Sequence, residues 1–302
     1  MHKLLLAVTL TASLFSGCSQ AQSDEKTLAK QEKKSQKKKA KAEALAAAGL
    51  RRIGTLDGVP ESSGLVLTGQ PGMLYTHGDE GNPPILYKIN TPSGRKALEI
   101  RVPVESHDWE SISRDPQGNL YIGDMGNNTS DRQDLVIWRF NPEQPRQVGA
   151  IRFRYPDQSA FPPAKKERNF DCEASFWHNG LVYLFTKDRA TQSTSKVYTV
   201  PATPGNHTAK LIKRLAIPGE VTDAALSPNG QRLVLLAREE MFVLEGPSFP
   251  ELLQATPQRV ALPGAGQTEG AVFLNDSTLN ISTEQGALYE YVFGEGDEVN
   301  GE

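Results

Sequence analysis

Cysteine is nearly absent from this chain. Cys18 and Cys172 are the two thiols in 302 residues, so if Cys18 is consumed by a lipid the remainder can form no internal disulfide. Stability must then come from an apolar core, for which roughly 250 residues are ample. Histidine is also scarce: His2, His77, His107, His178 and His207 are the five, and no two have metal-ligand spacing. That argues against a zinc site. Neither a G-x-S-x-G elbow nor a phosphate-binding glycine loop occurs. The main body also lacks an excess of positive charge. Residues 1–49 carry nine lysines against four acids, whereas residues 50–302 carry 24 basic and 32 acidic residues, net −8. Such a body repels nucleic acid and suits cations.

What is present begins with a targeting pattern. Lys3 supplies a positive n-region, and Leu4 to Phe15 is an apolar core too short to span a bilayer as a helix. Leu14-Phe15-Ser16-Gly17-Cys18 resembles the lipobox of bacterial lipoproteins, with Phe15 at the usual aliphatic position. Residues 1–18 are thus expected to be a signal peptide, with Cys18 lipidated. Ser19 after the cysteine implies sorting to the outer membrane, with the membrane engaged through the N-terminal lipid. Residues 19–49 are rich in Ala, Lys, Gln, Glu and Ser and read as a flexible tether, helical near its end. Its lysine run (Lys33, Lys34, Lys37, Lys38, Lys39) is either a solvated spacer or a patch attracted to anionic lipid or cell-wall polymer.

From Leu50 onward the chain is written in short β-forming runs separated by turn residues such as Gly69-Gln70-Pro71-Gly72 and Ser227-Pro228-Asn229-Gly230. A carboxylate followed by a small residue recurs five times, at Glu61-Ser62, Glu110-Ser111, Glu173-Ala174, Asp223-Ala224 and Glu269-Gly270. The intervals are 49, 63, 50 and 46 residues, a period typical of propellers. Each of the first four repeats supplies four strands and the fifth only three, while Leu50 to Leu56 is an orphan strand at the start. The expected fold is an all-β, five-bladed β-propeller over residues 50–302, with four-stranded antiparallel blades and the last blade closed by the N-terminal strand. Six blades is the alternative, because the 63-residue interval could hide one; Pro156 to Asn169 within it reads instead as a long surface loop.

The innermost strands of a propeller line its channel, so one acid per innermost strand predicts a carboxylate ring of Glu61, Glu110, Glu173, Asp223 and Glu269. With neighbours about 6 Å apart at an effective dielectric near 20, each pair repels by about 3 kcal/mol. The ring must bind a cation, hold protons or open to water, unless the acids simply cap backbone groups. Oxygen-only ligation would favour Ca2+. A second acidic series (Asp79, Asp124, Asp188, Glu239 or Glu240, Glu284) stands at the ends of the second strands. Asp124-Met125-Gly126-Asn127-Asn128 there offers oxygen ligands, or merely a turn. His107 beside Asp108 and the nearby Asp124 are the acid/base candidates. Cys172, between Asp171 and Glu173, reads as an inert buried thiol, and Trp109 as a wedge between blades.

The openings Glu61-Ser62-Ser63-Gly64-Leu65, Asp108-Trp109-Glu110-Ser111-Ile112 and Thr268-Glu269-Gly270-Ala271-Val272, on a lipoprotein-like signal, resemble the five-bladed SdiA-regulated proteins, distantly similar to NHL-repeat and phytase-like propellers. The resemblance implies a bound Ca2+, carried here by Glu110, Glu173 and Glu269, and no established activity. Two functions compete: an envelope-anchored monomeric module that binds a protein, glycan or small molecule, and a Ca2+-dependent phosphoesterase or lactonase. Fold alone does not choose between them.

Overall fold

Punctuated β-forming runs fold into five antiparallel sheets in the computed structural model of the protein, which describes residues 16–91 and 93–294. The signal-peptide reading of residues 1–15, like the Cys18 thiol, lies outside what is described. Helix α1 (Ser16–Ala47) runs through nearly all of the segment expected to be a tether. Ala, Lys, Gln and Glu are strong helix formers, so helicity extends well beyond the alanine-rich end predicted from the sequence. No described helix is long and apolar enough to cross a membrane. The helix ends where Gly49 adopts a left-handed backbone (φ 76°) against Tyr291; a Cβ there would meet the ring at 3.2 Å.

The chain then enters β1 (Leu50–Thr55). Blade one is β2 (Val66–Leu67), β3 (Met73–His77), β4 (Ile85–Asn90) and β5 (Lys96–Arg101). Blade two is β6 (Trp109–Arg114), β7 (Leu120–Asp124), β8 (Val136–Phe140) and β9 (Gly149–Arg154). Blade three is β10 (Asp171–His178), β11 (Leu181–Lys187), β12 (Thr194–Pro201) and, after the short β13 (Gly205–Thr208), β14 (Lys210–Ala216). Blade four is β15 (Asp223–Leu226), β16 (Arg232–Ala237), β17 (Glu240–Glu245) and β18 (Gln258–Ala261), with the one-turn α2 (Phe249–Leu252) before its last strand. Blade five is β19 (Thr268–Phe273), β20 (Thr278–Thr283) and β21 (Ala287–Val292), completed by β1, which pairs antiparallel with β21 from Leu50↔Tyr291 to Thr55↔Ala287.

The protein is therefore a five-bladed β-propeller closed by its N-terminal strand. The long interval between Glu110 and Glu173 adds no sixth blade. Residues 155–170 form turns and a 3-10 turn at Lys165–Glu167. One strand went unforeseen: β13, from the β12–β14 connection, pairs parallel with β9 of blade two (Gly205↔Ile151) and covers its edge.

Five apolar clusters fill the five seams between blades. At the seam of blades one and two, Trp109 (1% exposed) packs among Tyr75, Leu86, Ile112 and Phe140. Its ring meets His77 edge-on at 5.6 Å, which is the wedge role read from the sequence. Cys172 lies wholly buried between blades two and three, and burial, reinforced by Asp171, pushes its thiol far above the ordinary range.

Candidate cation site at the channel mouth

Three innermost strands carry the same irregularity at the same place. The register slips by one residue between Trp109 and Ser111, between Cys172 and Ala174, and between Thr268 and Gly270. The extra residue is the glutamate each time: Glu110, Glu173 and Glu269. A bulge re-aims its side chain out of the pleat, and all three are buried, 3–5% exposed.

The other two acids of the expected ring sit differently. Ser62 bridges Gly78 while Val66 pairs with Tyr75, so blade one slips between residues 62 and 66. Counting from that bridge, Ser63 takes the place of the bulge glutamate, and its Oγ lies 3.4 Å from Glu110 Oε2. Glu61 falls two residues earlier, exposed, and accepts a hydrogen bond from Asn82 Nδ2 at 2.9 Å. Blade four has no slip. Asp223 pairs in register with Leu236 and accepts backbone N–H bonds from Ala224 (2.8 Å) and, across the seam, Ala271 (2.6 Å). It joins blades four and five, the backbone-capping role that was one of the sequence alternatives.

The acids that converge are Asp79, Asp108 and Glu110, each with an oxygen within 4.8 Å of the others. Gly126 packs directly on them: a Cβ there would lie 2.2 Å from Asp108 Oδ2 and 2.4 Å from Glu110 Oε1, so any side chain would push both carboxylates aside. Asp108 Oδ1 is buried with no hydrogen-bond partner. Burial, with Asp79, Glu80 and Asp171 nearby, raises Asp108 to about 7. Burial and then the charges of Glu173 and Asp79 hold Glu110 well above the carboxylate range, and burial raises Asp79. Converging oxygens that resist ionisation are what a hard cation relieves.

Asp124 shapes this cluster from behind. Fully buried, its carboxylate accepts the backbone N–H groups of His107 and Asp108 (3.1 Å each) and Arg132 Nη2 (3.0 Å). Arg132 Nη1 in turn donates to the Gly126 carbonyl at 2.8 Å. The His107 ring is 55% exposed, with Nδ1 3.7 Å from Asp124 Oδ2. Asn127 and Asn128 are engaged with blade three: the Asn127 N–H donates to Asp171 Oδ1 at 2.6 Å, and Asn128 Oδ1 accepts from Arg189.

On the blade-three side the carboxylates are clamped. Lys187 Nζ stands 2.7 Å from Glu173 Oε2, and Arg189 reaches Glu173 Oε1 at 2.8 Å and Asp171 Oδ2 at 2.6 Å. Against burial, Glu173 keeps the Lys187 ammonium charged. Glu269 is raised to about 7 by burial, with Lys187 opposing. The acid-plus-small motif thus located the bulge glutamates but passed over Asp108, Lys187 and Arg189. The repeated Asp-x-Glu of Asp108-Trp109-Glu110 and Asp171-Cys172-Glu173, and the Lys187-Asp188-Arg189 strand end, were the signals available.

No protein-family model matches the chain, and no curated protein matches it in sequence. Many solved structures resemble it in fold. A catalytically inactive virginiamycin B lyase from Staphylococcus aureus, crystallised with quinupristin, is 12% identical at a TM-score of 0.41, over 77% of this chain and 66% of the lyase. The PQQ-bound aldose sugar dehydrogenase of Streptomyces coelicolor is 12% identical at 0.47, over 80% of this chain and 96% of the enzyme. At such scores neither likeness bears on what this chain does.

Proposed function

We propose that the propeller binds a hard divalent cation, Ca2+ by its chemistry, at the mouth of its channel, through Asp79, Asp108 and Glu110, and works as a binding or scaffolding module at the cell envelope. The observation that supports this most is Asp108 Oδ1, a buried carboxylate oxygen without a partner inside a cluster of three acids. Ca2+ takes six to eight oxygens in loose geometry, and three carboxylates leave room for water or a ligand to complete the shell. Glu173 is a weaker ligand than its motif implied, because Lys187 and Arg189 already occupy both of its oxygens. Glu61 and Asp223 stand outside the site. The lipoprotein reading of Cys18, an outer-membrane location and the likeness to SdiA-regulated propellers belong to the same proposal, resting on the sequence motifs and the five-bladed ring.

The hydrolase reading is weaker. It needs a base beside the ion, but Asp124 is taken up by backbone donors and Arg132, and the His107 ring turns to the rim. The deciding experiment uses residues 45–302, the compact unit that holds the propeller. Its metal content is measured together with melting in EDTA and in excess Ca2+. One ion per chain with a raised melting temperature supports the site; no ion and no shift removes it. Turnover of a phosphomonoester or lactone that needs Ca2+ and disappears in Glu110→Gln would replace the binding reading with the hydrolytic one.

A further inference from the structure

The channel's other end has different chemistry. Where the innermost strands finish, Leu65, Ile112, Phe176, Ala225 and Val272 contribute to a funnel of about 380 Å3 lined from all five blades. That volume lies within the range of small-molecule pockets, roughly 300–1,000 Å3. Two polar groups in the wall have no explanation in the fold. Ser113 is 6% exposed, and its Oγ has no hydrogen-bond partner. The side chain of Arg114, the next residue, has no ion pair or hydrogen bond among the described residues, and its charge acts on the Tyr75 hydroxyl. Its guanidinium lies between two turns, so that a Cβ at Gly69 (φ 83°) would come within 2.9 Å of Nη2 and one at Gly118 (φ 87°) within 3.3 Å.

The other ionisable groups in this wall are already engaged. Asp115 accepts from the Asn119 N–H (2.8 Å), Asn119 Nδ2 (2.7 Å) and the Tyr121 hydroxyl (3.0 Å). His178 is bonded to Asn179 Nδ2 at 3.0 Å and packs on Phe249 at 4.4 Å. Ser113 and Arg114 are neighbours on β6 and face opposite sides of it: Ser113 shares the face from which Ser111 bonds Ser175 of blade three, and Arg114 reaches Gly69 of blade one. An apolar funnel with an unpaired guanidinium in its wall is complementary to an apolar chain with an anionic head. Apolar surface supplies affinity, and a charge-assisted hydrogen bond fixes the head.

We propose that this funnel is a second ligand site, taking a small amphipathic monoanion of the alkyl carboxylate class, with the chain in the funnel and the carboxylate on Arg114. The site is separate from the cation site in position and in chemistry, so either proposal can fail alone. The test titrates the full-length protein with decanoate and with decanol, the neutral molecule of the same chain length, following the fluorescence of Trp177 in the funnel wall. Trp177→Phe assigns the signal, and calorimetry repeats the titration without it. Saturable decanoate binding at least tenfold tighter than decanol, and lost at least tenfold in Arg114→Gln but kept in Arg114→Lys and Glu110→Gln, is the expected result. Because the Arg114 side chain makes no hydrogen bond or ion pair among the described residues, Arg114→Gln should melt close to the parent. Absence of saturable decanoate binding, equal binding of decanol, or undiminished binding by Arg114→Gln overturns the proposal.

Discussion

Blades two and three open on the same pattern, an aspartate, an apolar residue and a bulged glutamate, yet their carboxylates finish in opposite surroundings. Asp108 and Glu110 face Asp79 and the bare backbone of Gly126. Asp171 and Glu173 face Lys187 and Arg189. The cause lies on the second strand of each blade. Asp171 pairs with Lys187, whereas the segment after Asp124 in blade two is Met125-Gly126, with no charge to offer. A motif on one strand therefore places an acid, and the end of its neighbour decides whether that acid is neutralised by the protein or left for a ligand.

The largest expected effect attacks the clamped side. Lys187→Met leaves Glu173 buried beside one cation instead of two, and removing one partner of a buried pair typically costs about 3–5 kcal/mol. Urea unfolding in EDTA should show that loss, whereas Glu110→Gln under the same conditions should stabilise, because it deletes one member of a repelling cluster. Equal losses from both variants would erase the contrast between the blades. Next in size is the cation itself. At a hundred times its dissociation constant, an ion bound only to the folded state adds about 2.7 kcal/mol, or roughly 5–10 °C for a domain of this size. Glu110→Gln and Asp108→Asn should abolish the rise. Glu284→Gln should keep it.

A smaller effect separates capping acids from binding acids. Asp223→Asn turns one of two backbone-accepting oxygens into a donor facing the Ala271 N–H. Leaving that buried group unsatisfied costs about 1–2 kcal/mol. Its Ca2+ response should match the parent's; a lost response would return Asp223 to the site.

The ring, its five blades and its closure were legible because each rests on local signals that repeat: turn residues every ten or so positions, a carboxylate once per blade, and an orphan strand before the first. The site was legible only in part. Glu61 carries the motif but falls two residues before the bulge, and a one-residue slip is invisible in a strand opening as short as Glu61-Ser62-Ser63-Gly64. Asp223 carries it on a strand with no bulge at all. Asp79 was noticed at the end of a second strand, but its meeting with Asp108 and Glu110 depends on how neighbouring blades are rotated about the channel. The β13 strand was missed because its partner is in another blade, and its residues, Gly205-Asn206-His207-Thr208, carry little β signal of their own.

The smallest prediction bears on the same contrast through protons. Asp108 and Glu269 are raised to about 7 in the folded protein, against roughly 4 in an unfolded chain. Between those values the folded state binds more protons than the unfolded one, so stability must fall as pH rises through this window. In EDTA, the free energy of unfolding should therefore decline from pH 5 to pH 7, by an amount on the order of 1 kcal/mol once solvent screening and the opposing Lys187 are allowed for. With saturating Ca2+ the decline should shrink to the share that Glu269, outside the site, contributes, because the ion takes the place of the protons on Asp108, and the stabilisation it gives should lessen as pH drops below about 7. Asp108→Asn should make the metal-free profile shallower, leaving the share that Glu269 contributes. A profile that rises with pH in EDTA would mean that cationic side chains already neutralise both sides of the mouth, and that blade two offers no more to a cation than blade three.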